Sequence, residues 1–195
     1  LGGEQEERAD ALGGLAIGSL LSLILIYSLL AIPLKSYVQP LIIMSVIPFG
    51  AVGAIAGHYV LDQQLVFFSA LGLTALSGVV VNASLVLVDY ANKRKLEGKT
   101  PIEAILGAAS IRFRPIILTS VTTFVGLIPL MSTSTPATAP FLPMVISLAW
   151  GVLFATVITL MLVPCLYIII HDFVREADSS EGEIGGLIEE PQSAG

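Results

Sequence analysis

Four stretches of this chain, residues 11–34, 36–61, 63–88 and 115–171, contain no Asp, Glu, Lys or Arg. A helix crossing roughly 30 Å of hydrocarbon at 1.5 Å per residue needs about 20 apolar residues. The first three stretches each hold one span and the fourth holds two, divided at Ser132-Thr-Ser-Thr-Pro-Ala-Thr-Ala-Pro140, where two prolines and a polar cluster suit a loop. A transmembrane β-barrel is excluded, because its strands place a polar residue facing the lumen at every second position. The reading is therefore an all-α, polytopic membrane helix bundle with spans at about 11–32, 38–61, 65–90, 115–131 and 142–170. Composition agrees: 55% hydrophobic and 12% charged residues lie outside the usual range of a soluble domain.

Charge orients the bundle. Six of the nine lysines and arginines fall between residues 93 and 114, as Lys93, Arg94, Lys95, Lys99, Arg112 and Arg114. The positive-inside rule puts that segment in the cytoplasm. Residues 1–10 are then periplasmic, Lys35 is inside, Asp62 and the 132–140 loop are outside, and the tail is inside. The net charge of −6 belongs to the two ends, so it says nothing about ligands, and without a basic face no nucleic-acid partner is expected. Thr100-Pro101-Ile-Glu103 reads as an N-cap, a first-turn proline and an acidic first turn, opening a short interfacial helix at about 101–110. Residues 172–195, with seven acids and few large apolar groups, read as a disordered cytoplasmic tail. A start at Leu1 with an acidic opening reads as a piece of something longer.

Polar residues inside the spans are the candidates for function. Asn82 lies well within the third span, where a primary amide is costly and must face other helices; pattern alone leaves it open between interhelical glue and function. Asp89 reads as an interface anchor or as the ion-pair partner of Lys93. Arg112, Thr119 and Gly126 are spaced by seven and form one helix stripe, joined by Thr122 and Thr123. Such a stripe suits a polar path, or close packing with the hydroxyls bonded back to their own helix. His58 and Asp62 read as a solvated pair at the outer end of the second span, and two such groups make a weak metal signal. Gly14-xxx-Gly18 and Gly53-xxx-Gly57 allow close helix approach and carry no functional weight. Lone Cys165 permits no internal disulfide. No Walker loop, HExxH pair or serine–histidine–carboxylate set is present, so an enzyme is not expected.

Gly78-Val-Val-Val-Asn-Ala-Ser-Leu-Val-Leu-Val-Asp-Tyr-Ala-Asn92, followed by Arg112-Phe-Arg-Pro-Ile-Ile-Leu-Thr-Ser120, resembles helices ten and eleven of the resistance-nodulation-division (RND) efflux transporters. Tyr27 to Pro48 is similar to their helices eight and nine, and the resemblance runs from about residue 10 to 173. It implies the C-terminal membrane part of a proton-driven exporter of amphiphilic compounds in the bacterial inner membrane. It also implies assembly with the N-terminal half of the same pump, a homotrimer in membrane lipid, a periplasmic adaptor and an outer-membrane channel. No cofactor is implied; the energy source is the proton gradient.

In the family, protons pass by an aspartate pair on helix four, coupled to polar residues on helices ten and eleven. By this resemblance Asn82 stands where the best-known drug pumps carry lysine, and Arg112 and Thr119 fall on the family's helix-eleven arginine and threonine. The expected proton relay is Asn82, Arg112 and Thr119, with Asp89, Thr122 and Thr123 in support and no metal. Asparagine cannot form a lysine–carboxylate ion pair, so coupling must use hydrogen bonds and a different charge balance. Drug-type export is favoured, with a metal-exporting member of the family and a non-transporting scaffold as alternatives.

The topology is tested by single cysteines in a Cys165-free background. A membrane-impermeant maleimide is expected to label positions 63 and 136 in intact cells and to leave position 99 unlabelled. Labelling at 99 would overturn the orientation.

Overall fold

A computed structural model describes the backbone of residues 2–132 and 135–188. Helix is the only regular structure among the described residues: α1 (Gly2–Leu34), α2 (Gln39–Met44), α3 (Ile47–Val60), α4 (Phe67–Leu96), α5 (Pro101–Ser132) and α6 (Leu142–Ile188), the last entered through a 3₁₀ turn at Ala139–Phe141. Five segments are long and apolar enough to cross a membrane, with α2 and α3 together forming one. Hydrocarbon offers no partner to a free N–H or C=O, so only a structure that satisfies them internally can occupy these stretches.

The second span is broken because Pro48 has no N–H to give to the Met44 carbonyl four residues before it. The chain makes a turn at Ser45 and Val46, where Val46 N–H bonds to Ile43 O and the Ser45 hydroxyl to Ile42 O at 2.6 Å. α3 then restarts with Pro48 in its first turn. α5 behaves in the opposite way. The short interfacial helix expected at 101–110 and the span at 115–131 are one helix of 32 residues that runs through Pro115. Nothing in Ile111-Arg-Phe-Arg114 stops a helix, and the proline removes only one donor. At about 48 Å, α5 outreaches the hydrocarbon. Its start is fixed as the residues suggest: Thr100 N–H donates to Glu103 Oε2 at 3.2 Å and Glu103 N–H to Thr100 Oγ1 at 3.3 Å, a reciprocal capping box.

α6 likewise exceeds the expected 142–170 and continues as helix to Ile188, into the segment expected to be disordered from residue 172. No proline follows Pro164 until Pro191, so no backbone donor is missing along that stretch. Residues 189–195 of the expected tail, and 133 and 134 of the expected loop, lie outside the described residues.

α6 is the axis of the bundle, packed on α3, α4 and α5, whereas α1 packs mainly on α2 and α4. The core joins Leu76, Val80, Leu87 and Val88 of α4 to Ile105 and Ile116 of α5 and Val152, Ala155 and Val163 of α6. α1 sends Leu30 and Leu34 into the core and keeps most of its other large side chains outward, with Leu25 and Leu29 each 68% exposed and Ile32 75% exposed, as suits a helix whose neighbours are lipid or other membrane helices.

Glycine sets how near α6 can come. A methyl group at Gly53 would overlap Phe154, one at Gly57 would overlap Trp150, and one at Gly151 would overlap Leu76. At Gly13, Gly14 and Gly18 of α1, a methyl would meet nothing within 4 Å. Of two identical GxxxG spacings, only 53–57 is a contact in this structure.

Polar clamps close both ends. At the basic end Asn92 Nδ2 donates to Gln39 Oε1 at 2.7 Å, while its Oδ1 accepts from Gln39 Nε2 at 3.2 Å and from the Tyr167 hydroxyl at 2.9 Å, tying α2, α4 and α6 together. Beside it Lys95 Nζ donates to His171 Nε2 at 2.7 Å. At the other end His58 is only 2% exposed, which corrects the expected solvated pair with Asp62. His58 Nδ1 lies 2.9 Å from Ala54 O and its Nε2 2.9 Å from Ser69 Oγ. A carbonyl only accepts, so Nδ1 carries the proton and Nε2 accepts from Ser69. The Ser147 hydroxyl then bonds to Ser69 O at 3.0 Å, joining α3, α4 and α6.

Gly57→Leu is expected to cost about 1–3 kcal/mol or more, seen as a lower melting temperature or lost accumulation of the detergent-solubilised protein. Gly14→Ala should change neither. An unaltered melting temperature in Gly57→Leu would refute the α3–α6 contact.

Candidate functional site

The polar residues of α4, α5 and α6 meet in a half-open cleft of about 200 Å³, with room for a small number of water molecules. Asn82, Val79 and Val86 line it from α4; Arg112, Pro115, Thr119, Ser120 and Thr123 from α5; Val152, Thr156 and Thr159 from α6. The seven-residue spacing that put Arg112 and Thr119 on one stripe keeps them on one wall, because α5 is continuous through Pro115. Asn82, Arg112, Thr119 and Thr123 are thus brought together. Thr122 and Asp89 are not among the lining residues. Asp89 Oδ2 is 2.7 Å from Lys93 Nζ one turn away, in an exposed i,i+4 ion pair.

The groups in the cleft differ in how far they are already bonded. The hydroxyl of Thr119 donates to Ile116 O at 2.9 Å and that of Thr123 to Thr119 O at 2.7 Å. Thr122 lies within reach of both Leu118 O at 2.8 Å and Thr119 O at 3.0 Å. All three threonines therefore bond back to their own helix, the ordinary behaviour of hydroxyls in an apolar span. Asn82 and Arg112 have no such local partner. Asn82 is exposed on the cleft wall, presenting two donors and an acceptor.

Arg112 Nε is buried and has no hydrogen-bond partner among the described residues. Its guanidinium lies over the Tyr90 ring, 4.9 Å from the centroid, a cation–π contact worth about 0.5–2 kcal/mol. A buried donor without an acceptor costs about 1–3 kcal/mol, more when charged. The ring holds the guanidinium in place without supplying the anion that its N–H groups favour.

Four further hydroxyls, Ser120, Thr156 and Thr159 on the cleft wall and Ser84 behind it, do not follow from the sequence pattern. Ser120 Oγ and Thr156 Oγ1 are 2.5 Å apart across α5 and α6, and Ser84 Oγ and Thr159 Oγ1 are 3.5 Å apart across α4 and α6. The available signal was weak. Thr156 and Thr159, three apart in an otherwise apolar span, share a helix face, but which helix that face meets is a property of the packing.

The AcrB/AcrD/AcrF family profile matches residues 1–171. The chain is 29% identical over 183 residues to the swarming motility protein SwrC of Bacillus subtilis (strain 168), covering 93% of this chain and 17% of SwrC. It is 32% identical over 158 residues to the multidrug resistance protein MdtC of Proteus mirabilis (strain HI4320), covering 80% of this chain and 15% of MdtC. A crystal structure of a heavy metal efflux pump superposes with a TM-score of 0.75 at 27% identity, over 87% of this chain and 16% of that one. The chain thus spans about a sixth of the length of the relatives it matches. With the family matched over most of its length and the five spans in place, the chain belongs to the AcrB/AcrD/AcrF family of RND efflux transporters.

Proposed function

We propose that this chain is the C-terminal membrane part of a proton-driven pump that exports amphiphilic or toxic compounds, and that Asn82, Arg112 and Thr119 carry this part's share of the proton relay. The observation behind the reading is the convergence, on one cleft with room for several waters, of a mid-span amide, a back-bonded hydroxyl and a buried arginine Nε with no acceptor among the described residues. An acid supplied by the other half of the pump would face that arginine. When ionised, it is neutralised by the Arg112 guanidinium. When protonated, it leaves Arg112 uncompensated, and the cleft changes by one unit of charge. Asn82 is neutral in both states. Its contribution is to switch between donating to a carboxylate and accepting from a carboxylic acid, and Thr119 can turn its hydroxyl from Ile116 O toward the cleft for the same purpose.

The pump is placed in the bacterial inner membrane with its C-terminus in the cytoplasm, as a trimer with a periplasmic adaptor and an outer-membrane channel, using the proton gradient and no cofactor. Multidrug export is the favoured activity, in line with the relatives named for multidrug resistance. Heavy-metal export is the second reading, supported by the structural likeness to a heavy metal efflux pump.

In the full-length pump, Asn82→Leu and Thr119→Ala are expected to reach normal abundance yet lower efflux per molecule by roughly tenfold or more, while Thr119→Ser stays mild. A packing role predicts instead the loss of about 0.6–2 kcal/mol, read as lower abundance with unchanged efflux per molecule, and that outcome would sink the relay assignment. Challenge of the same strains with dyes and with metal salts separates the two substrate classes. Residues 1–195 expressed alone in a pump-deficient strain should leave dye and detergent sensitivity unchanged; increased resistance would contradict the division of the relay between two halves.

A further inference from the structure

The Ser120–Thr156 contact has more acceptors than protons. Each hydroxyl owns one hydrogen. Ser120 Oγ lies 3.0 Å from Ile116 O, Thr156 Oγ1 lies 2.7 Å from Val152 O, and the two oxygens are 2.5 Å from each other. If both hydroxyls donated to their carbonyls, two oxygens would face each other lone pair to lone pair at hydrogen-bond distance, which is repulsive. Two arrangements remain. Either Ser120 donates to Thr156 and Thr156 to Val152 O, or Thr156 donates to Ser120 and Ser120 to Ile116 O. They interconvert by hydroxyl rotation alone, with no heavy atom displaced. Both residues are buried, at 6% and 9% exposure, so bulk water competes little for either arrangement.

The pair lies on the cleft wall and is linked to Thr119 through one atom. Ile116 O receives the Ser120 N–H of the helix ladder, the Thr119 hydroxyl at 2.9 Å and, in the second arrangement, the Ser120 hydroxyl. Three donors then contend for two lone pairs. When Thr119 turns toward the cleft, Ile116 O is freed for Ser120, and the Ser120–Thr156 bond reverses. When Thr119 returns, the first arrangement is favoured again. Arg112 is the charged group lining this cleft; on α4 its titratable neighbour is Tyr90 beneath it, and α6 contributes Val152, Ala155, Thr156 and Thr159, none of which titrates.

We propose that Ser120 and Thr156 form a reversible hydroxyl pair that carries the state of the Asn82–Arg112–Thr119 cleft from α5 to α6. The inference rests on the relay reading above and adds positioning residues and a direction: the signal ends on α6, the helix that contacts α3, α4 and α5 alike. Thr159, three residues further along and 3.5 Å from Ser84 Oγ, extends the same α6 face toward α4.

The test uses the full-length pump in proteoliposomes, exporting a cationic dye that the wild type exports, with efflux measured against pH. Thr156→Val keeps the shape and deletes the hydroxyl, Ser120→Ala deletes its partner, and Thr156→Ser restores the group. Thr156→Val and Ser120→Ala are expected to match the wild type in abundance and melting temperature and to shift the midpoint of the efflux–pH profile by about half a unit to one unit. The double variant should shift it no further than either single one, and Thr156→Ser should return it. A structural bond would lower the melting temperature and leave the midpoint in place, and that result overturns the proposal. Should Thr156→Val fail to accumulate, Ser120→Ala decides by the same criterion. Asn82→Leu, run alongside, separates the two claims. Lost efflux in Asn82→Leu with unmoved midpoints in both hydroxyl variants defeats the pair alone. Normal efflux in Asn82→Leu defeats the relay reading, and with it the pair as a carrier of that cleft's state.

Discussion

In hydrocarbon every polar group must find its partner within the protein, and this one requirement shapes both the architecture and the chemistry of the chain. It makes each span a helix, and it makes hydroxyls donate to carbonyls of their own turn. Ser84, Thr119, Thr122 and Thr123 do so, and Ser120 and Thr156 each lie within reach of such a carbonyl. It also decides which groups are left to respond to a moving charge. An amide has too many donors and acceptors to be satisfied by one helix, and a guanidinium has no acceptor at all. Asn82 and Arg112 are therefore the groups of the cleft without a partner on their own helix, and the hydroxyls around them form a bonded background.

The second requirement is close approach. Apolar burial does not favour helix pairing when the solvent is itself apolar, so packing has to come from contact area and from polar bonds between helices. Gly53 and Gly57 give α3 that area against Phe154 and Trp150. His58, Ser69 and Ser147 then clamp one end, and Gln39, Asn92 and Tyr167 the other. With α6 held at both ends, the stretch between them carries Thr156 and Thr159, where hydroxyl contacts to α5 and α4 are possible. The cleft exists because the helices that wall it are fixed elsewhere.

The spans were legible because charge is so costly in a membrane that its absence over 24 or more residues is unmistakable. The Thr100–Glu103 cap was legible because both partners lie within one turn. What could not be read depended on which faces meet. Pro48 and Pro115 look alike in sequence, yet the chain turns before one and runs straight through the other, since an intact flanking helix can absorb one lost hydrogen bond. His58 was taken for a surface residue because Asp62 stands four positions away; its true partner, Ser69, lies across a turn on another helix. Of the candidate site, Asn82, Arg112, Thr119 and Thr123 follow from spacing and mid-span polarity. Ser84, Ser120, Thr156 and Thr159 do not, because serine and threonine in a span are usually satisfied locally and announce nothing.

The placement of arginine and asparagine together has an electrostatic consequence. A lysine at position 82 would be a titratable cation able to release its proton when desolvated, whereas asparagine holds no charge to lose. All the positive charge lining the cleft then resides on Arg112, whose guanidinium is fixed over Tyr90. Under the proposed relay the cation is a constant, and only an acid supplied by the other half of the pump would alternate between two states. The energy of each transition is then carried by one fixed charge and the hydrogen bonds around it. Those bonds have to reverse direction when the acid gains or loses its proton, so the asparagine, which can both donate and accept, and the back-bonded hydroxyls, which rotate without displacing an atom, are the groups able to follow. A second cation able to titrate would let the charge balance shift within the cleft itself. Under the proposed relay, an amide at position 82 leaves hydrogen-bond reversal as the means by which α4 and α5 would register the proton.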